Sequence, residues 1–212
     1  MKKVITIVAV AFMLFAGTTQ AQKGNLSVNL GYAPQTFSSV TTIMGNDTKS
    51  STNYTGFFAG INYTNRLSSN LGLNIGVQGR YNYKTEENSL ATIKNTQFLI
   101  DVPVMLSFGI QLGNDARLSC FAGPAISFAL QGKTVTTGKI SGNDYDYEWY
   151  DNDEDIEHQQ YRFDLSAVAG LAFQFRTLRI FGGYRQGFLD QAKPEAVKTT
   201  TNGLFAGLGI ML

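Results

Sequence analysis

Hydrophobic and polar residues alternate with a period of two along most of the chain. In LGLNIGVQGRYNY, at residues 71–83, every large apolar or aromatic side chain falls on one parity, and the other parity carries glycine, amide and arginine residues. Successive side chains of a β-strand point to opposite faces, so the segment predicts a strand with one apolar face. It is longer than the five or six residues typical of strands in globular proteins.

The same alternation recurs in other segments, and no segment carries a helical repeat with capping residues. We predict strands at residues 25–33, 53–64, 70–84, 95–109, 116–131, 160–175, 177–188 and 202–212. Short connections alternate with long ones, of which the longest lie at 34–52 and 132–159. The pattern therefore predicts an all-β fold, an eight-stranded antiparallel up-and-down β-barrel.

The apolar face is too bulky to fill the inside of such a barrel. An eight-stranded barrel has room only for small and selected polar side chains, so the apolar face is expected to meet lipid. Aromatic residues gather at both ends of this face, as they do at the two membrane interfaces. We predict a transmembrane barrel with short periplasmic turns and long extracellular loops, in which Leu73, Ile100 and Leu165 point outward. A soluble lipocalin-like carrier is the alternative fold.

Proline and glycine refine this prediction. Pro103 and Pro124 each remove a hydrogen bond from the sheet, and we expect a bulge or a local break at each. Glycines on the polar parity leave space for larger side chains inside a narrow barrel. Cys120, the one cysteine, is expected to be a small apolar strand residue.

The N-terminus predicts export. Residues 1–21 combine Lys2 and Lys3, an apolar stretch and small residues before a cut after Ala21, which is the pattern of a cleaved signal peptide. The barrel domain would then be residues 22–212. Without the two lysines the chain carries 15 basic and 16 acidic residues (from 17 and 16), so no basic surface predicts nucleic-acid binding.

Six charged residues share the polar face of four predicted strands, and we treat them as a candidate lumen network. They are Arg80, Asp101, Arg162, Asp164, Arg179 and Arg185. Because an unpaired charge in a narrow interior is costly, a structural ion-pair network is the favoured interpretation. A proton or ion relay and a catalytic carboxylate pair are the alternatives.

The segment NDYDYEWYDNDEDIEH at residues 143–158 is acidic and aromatic. A candidate site for a divalent cation or a partner comprises Asp144, Asp146, Glu148, Trp149, Asp151, Asp153, Asp155 and Glu157. Carboxylate oxygens suit Ca²⁺, but the glycine and glutamate positions of an EF-hand are missing. A solvated acidic loop, a Ca²⁺ site bridging to lipopolysaccharide phosphates and an aromatic recognition loop are the interpretations left open.

Catalysis has little support in the sequence. His158 is the one histidine, and it lies too far along its strand from Ser166 for contact. No zinc spacing, phosphate loop or dinucleotide motif occurs. We therefore expect no enzyme activity and no cofactor.

Four segments resemble the PorT-like outer-membrane β-barrel family. FLIDVPVMLSFG, FAGPAISFAL, YRFDLSAVAGLAF and LRIFGGYRQGFLD are similar to four successive strands of that family. The resemblance implies a small eight-stranded barrel in a Gram-negative outer membrane, and some members serve a protein-secretion and gliding apparatus. The chain ends in Leu212, where outer-membrane barrels often end in an aromatic residue.

The expected role is that of a non-enzymatic outer-membrane protein whose extracellular loops carry a structural or surface-interaction function. The expected partners are outer-membrane lipid, lipopolysaccharide, and other envelope or secreted proteins. A component of a secretion or gliding complex is the first alternative, and a narrow pore is the second.

Overall fold

The computed structural model describes residues 25–43, 46–139, 144–150, 160–193 and 197–212, which form ten strands. The strands are β1 (Asn25–Tyr32), β2 (Gln35–Ile43), β3 (Asn46–Arg66), β4 (Leu71–Glu87), β5 (Ala91–Leu112), β6 (Ala116–Gly138), β7 (Asp144–Glu148), β8 (Phe163–Phe175), β9 (Leu178–Gly187) and β10 (Val197–Met211). Within these ranges, no helix has the length and apolar character that would let it cross a membrane. The predicted signal segment at 1–21 lies outside the described residues.

The strands close into an antiparallel ring with eight strand positions, and we call each position a stave. β1 and β2 are two parts of one stave, because both pair with β10 on one side and with β3 on the other. From β3 the ring runs through β4, β5, β6, β8 and β9 to β10, and β7 pairs with β6 outside this path. The predicted barrel architecture is confirmed.

The two faces of the ring are arranged as predicted. Outward side chains are large and apolar, as shown by Leu171, Ile61 and Leu208 at 62%, 52% and 48% exposure. Inward side chains include fully buried Asn29 and Asn82. Leu73, Ile100 and Leu165 all lie on the outward parity of their strands, and none is buried.

The prediction of long outer loops was wrong for much of their length. Residues 35–43 form β2, residues 46–52 begin β3, residues 132–138 continue β6, and residues 197–201 begin β10. These segments are rich in Ser and Thr and lack an apolar face, so the alternation used for prediction does not reveal them. Above the apolar band, the staves form two sheets, β10–β2–β3 and β4–β5–β6–β7, which we call the outer extension.

The two prolines interrupt the pairing of the strands but do not shift its register. The β4–β5 register has no paired residues between Ile75↔Val104 and Gln78↔Asp101, and the β5–β6 register has none between Pro103↔Ala125 and Leu106↔Ala122. These are the local breaks expected at Pro103 and Pro124. The one shift of register in this pair of strands lies elsewhere, between Phe98 and Leu99, where Leu130 is the extra residue.

The first stave is also interrupted, between Tyr32 and Gln35. β1 meets β10 through Tyr32↔Ala206, and β2 meets it through Thr36↔Asn202. Both strands advance by four residues between these two pairs, so the register is kept across the break. We call this junction of the first and last staves the seam.

Candidate functional site

Four phenylalanine rings lie in the middle of the barrel, and we call them the lumen phenylalanines. They are Phe58, Phe121, Phe181 and Phe205, whose neighbouring ring centroids lie 6.0 to 6.5 Å apart. The rings lie directly against glycine backbone on other staves. A Cβ at Gly170 would lie 2.6 Å from the Phe121 ring, and a Cβ at Gly31 would lie 2.6 Å from the Phe58 ring. Glycine on the inward parity thus makes room for a large side chain opposite, as predicted.

A charge cluster lies on the outer side of these rings. Asp101 Oδ2 is 3.1 Å from Arg80 Nε and 2.9 Å from Arg185 Nη1, and Arg80 Nη2 donates a hydrogen bond to Asp101 Oδ1 at 3.2 Å. Asp101 is 1% exposed and Arg80 is 4% exposed. The structure therefore brings together three of the six residues of the candidate lumen network. They join β4, β5 and β9, three different staves.

The other three residues of that network do not join the cluster by direct ion pairs. Asp164 accepts a hydrogen bond from the Thr201 hydroxyl at 2.9 Å. Arg179 lies nearer the short turns, over the rings of Phe121 and Phe181 at 5.8 and 5.5 Å. Arg162 was placed wrongly in the lumen: β8 begins only at Phe163, and Arg162 is an exposed residue outside it.

Amide side chains connect the charge cluster to the mouth of the barrel. Gln35 Oε1 accepts hydrogen bonds from Arg80 at 2.9 Å and from Asn82 at 2.7 Å. Asn82 also donates to Gln97 Oε1 at 3.0 Å, and the Gln97 amide donates to the Tyr150 hydroxyl at 2.6 Å. The sequence prediction missed Gln35, Asn82 and Gln97, although all three share the inward parity of their strands.

Trp149 and Tyr150 close the outer mouth together with Leu99 and Ala129, and we call this group the cap. The Trp149 indole N–H donates to Thr134 Oγ1 at 2.7 Å. Arg162 donates to the carbonyl of Tyr150 at 2.8 Å, and its guanidinium lies 5.1 Å from the Tyr150 ring. Arg162 therefore holds the cap in place. Burial raises the pKa of Tyr150 to about 12, so its phenol stays protonated.

The acidic segment is only partly described. Asp144, Asp146 and Glu148 are exposed on β7, and Lys133 of β6 forms an ion pair with Asp146. This contact lowers the pKa of Asp146 and raises that of Lys133. Across the described ranges, no three His, Cys, Asp or Glu residues form a group that could hold a metal ion. The Ca²⁺ hypothesis falls on Asp151, Asp153, Asp155 and Glu157, which lie outside those ranges, as does His158.

Trp149, grouped with the acidic loop from the sequence, instead belongs to the interior. It is 5% exposed and packs edge-on to Tyr54 at 6.2 Å. Nothing in the sequence distinguishes it, because Trp149 lies within the acidic run, with Asp144 to Glu148 before it and Asp151 to Glu157 after it. Cys120 is exposed on an outward parity, and its thiol lies 3.6 Å from the carbonyl of Phe108, as expected for a small strand residue.

The model of the outer membrane protein beta-barrel domain family matches residues 20–191. A search of curated protein sequences gives no match.

Among solved structures, the chain is similar to Ail, the attachment invasion locus protein of Yersinia pestis, with 18% identity over 89% of this chain and 100% of that one and a TM-score of 0.43. It is similar to OprG of Pseudomonas aeruginosa, with 12% identity over 90% and 97% and a TM-score of 0.47. It is also similar to Neisserial surface protein A, with 14% identity over 89% and 99% and a TM-score of 0.39. The chain belongs to the outer membrane protein beta-barrel domain family, and it is a protein of the cell outer membrane.

Proposed function

We propose that this outer-membrane barrel is a non-enzymatic protein whose outer extension binds other molecules at the cell surface. The observation that carries the proposal is the edge of β7. Within the described residues, β7 pairs with β6 alone, so its other edge is not covered by a neighbouring strand. An uncovered strand edge offers backbone N–H and C=O groups to an extended segment of a partner.

The outer extension is built to present this edge. Five residue pairs, from Lys133↔Glu148 to Thr137↔Asp144, join β7 to β6. The cap holds the end of β7, because the backbone N–H of Trp149 donates to the carbonyl of Gly132 at 2.8 Å. Exposed Asp144, Asp146 and Glu148 place negative charge along β7, which disfavours unselective pairing with other edges. A partner segment with basic side chains fits this arrangement.

The proposed partners are lipopolysaccharide around the barrel and an envelope or secreted protein at β7. The layers of charged, amide and aromatic side chains inside the barrel support a plugged interior and disfavour the narrow pore. The PorT-like resemblance supports the alternative role in a secretion or gliding complex, in which docking partners would reach the barrel from the periplasmic side.

Site-specific photo-crosslinking in cells tests the proposal. Tyr145 of β7 is 68% exposed, and a crosslinker placed there is expected to form adducts with surface proteins or glycans. Asn114, in the short turn between β5 and β6, is exposed at the opposite end and is the matched control. Adducts at Asn114 alone would contradict surface binding and favour the secretion-complex alternative. An absence of adducts at Tyr145 would refute the proposal.

A further inference from the structure

We propose that the barrel interior binds a small amphipathic anion, with its acidic group on Arg179 and its apolar part against the lumen phenylalanines. The site is the cavity beneath the charge cluster. The space in it that the centre of a water molecule can occupy is about 60 Å³. Pockets that bind small molecules typically combine an apolar lining with a few polar groups that fix the orientation of the ligand.

The lining of this cavity is apolar in the middle and charged at both ends. The lumen phenylalanines, with Met105 and Val168, form its apolar wall. Arg80, Asp101 and Arg185 border it toward the cap, and Arg179 borders it toward the short turns. A ligand therefore meets a cationic group next to an extended aromatic surface. This combination suits a molecule that is acidic at one end and apolar along its length.

Arg179 differs from the arginines of the charge cluster in having no carboxylate partner among the described residues. Its guanidinium instead lies over the faces of Phe121 and Phe181. Ring faces attract the positive charge but do not accept the in-plane N–H donors of the guanidinium. Those donors match the two oxygens of a carboxylate or a phosphate, which arginine binds in bidentate fashion.

The charge balance of the cavity also favours an anion. Its lining carries three arginines, Arg80, Arg179 and Arg185, against one carboxylate, Asp101, which leaves a net charge of two positive units. Asp164, which lies close by without lining the cavity, reduces this to one. An uncompensated charge inside a narrow barrel is costly, so a bound anion would lower the free energy of the folded state.

The cavity reaches the barrel wall at the seam. Pro34, Gly203 and Leu204 belong to its lining, and the register between the first stave and β10 has no pairs from residue 33 to residue 35. Leu204 is 67% exposed on the outward face, where it pairs with Tyr184 at the outer aromatic girdle. The cavity is thus bordered by one lipid-facing residue at the outer aromatic girdle, across the lumen phenylalanines from Arg179, which lies near the short turns. This position favours a fatty-acid-like ligand.

Binding of octanoate to the full barrel in neutral phosphatidylcholine nanodiscs tests the proposal. NMR of carboxylate-labelled octanoate is expected to show saturable binding to the wild-type barrel. Octylamine, which has the same chain with a cationic end, is expected not to bind, and inorganic phosphate, which lacks the chain, is expected to bind more weakly than octanoate. Arg179→Gln should weaken octanoate binding by about tenfold or more, because a charge-assisted contact is lost.

Arg176→Gln is the matched control, since Arg176 is an exposed arginine on the same hairpin. Equal octanoate affinities in the two variants would overturn the assignment of Arg179. A second measurement needs no variant: octanoate should raise the unfolding temperature of the wild-type barrel and octylamine should not. Equal shifts with the two compounds would overturn the proposal even if Arg179→Gln fails to fold.

Discussion

Replacing Asp101 by Asn tests whether the charge cluster holds the interior together. The change removes the carboxylate that contacts Arg80 at 3.1 Å and Arg185 at 2.9 Å, while it keeps the size of the side chain. Two arginines then share a buried site without the one carboxylate that contacts both of them. Breaking a buried ion pair from one side typically costs about 3–5 kcal/mol.

The surroundings of the two arginines place the expected loss at the lower end of this range. Arg80 keeps its hydrogen bond to Gln35, and the side chain of Arg185 is 13% exposed. We expect Asp101→Asn to lower the free energy of unfolding by about 3 kcal/mol. The assay is reversible urea unfolding of the barrel in lipid vesicles, followed by tryptophan fluorescence.

Asp115→Asn is the matched control. Asp115 pairs with Arg176 at 3.4 Å, but their side chains are 52% and 70% exposed. Such a surface pair contributes less than about 1 kcal/mol. If the two variants lose the same small amount of stability, the lumen contacts do not stabilise the barrel as inferred from their burial.

Three further predictions concern the wall, the glycines and the cap. Ile61→Arg, in mid-membrane, should cost about 2–4 kcal/mol in vesicle unfolding, and Leu112→Arg, next to a short turn, at most about 1 kcal/mol; equal costs would contradict the assigned depths. Gly170→Ala should cost about 1–3 kcal/mol in the same assay, because its Cβ would lie 2.3 Å from a backbone oxygen, whereas Gly79→Ala, with 3.4 Å to its nearest neighbour, should be nearly neutral. The pKa of Tyr150 is raised from 10.0 to about 12. The protonated phenol therefore contributes fully to the free energy of unfolding below pH 10.0, and this contribution is lost as the pH rises through about 12. Tyr150→Phe should flatten this alkaline loss of stability, and an unchanged pH profile would show that another group causes it.

The ring and its faces could be predicted because lipid imposes a strong pattern. Every spanning strand must carry apolar side chains on one parity, and Leu73, Ile100 and Leu165 follow this rule. The outer extension could not be predicted in the same way. Apart from Phe37, which packs on Tyr54, β2 and the first part of β3 carry few large apolar side chains, so the residues from Gln35 to Ser51 show no two-residue alternation that marks them as strands.

The charge cluster could be predicted only in part. Parity places Arg80, Asp101 and Arg185 inside the barrel, but their contacts depend on the stagger between staves, which the sequence does not state. Asp101 and Arg185 are 84 positions apart. For Arg162, parity gave the wrong side: it has the parity of Asp164 but precedes the first residue of β8, so its parity does not place it inside the barrel. Parity has no meaning beyond the end of a strand.

The seam divides the first stave into an inner half, β1, and an outer half, β2. Because the register is kept across Ala33 and Pro34, the inner half of the first stave fixes which residues its outer half can meet. One residue inserted at this break would leave the pairs from Ser27 to Tyr32 unchanged, yet it would turn Phe37 away from Tyr54 and the mouth of the barrel. Such an insertion would leave the part of the wall that lies in lipid intact and would remove the support that Phe37 gives, through Tyr54, to Trp149 of the cap.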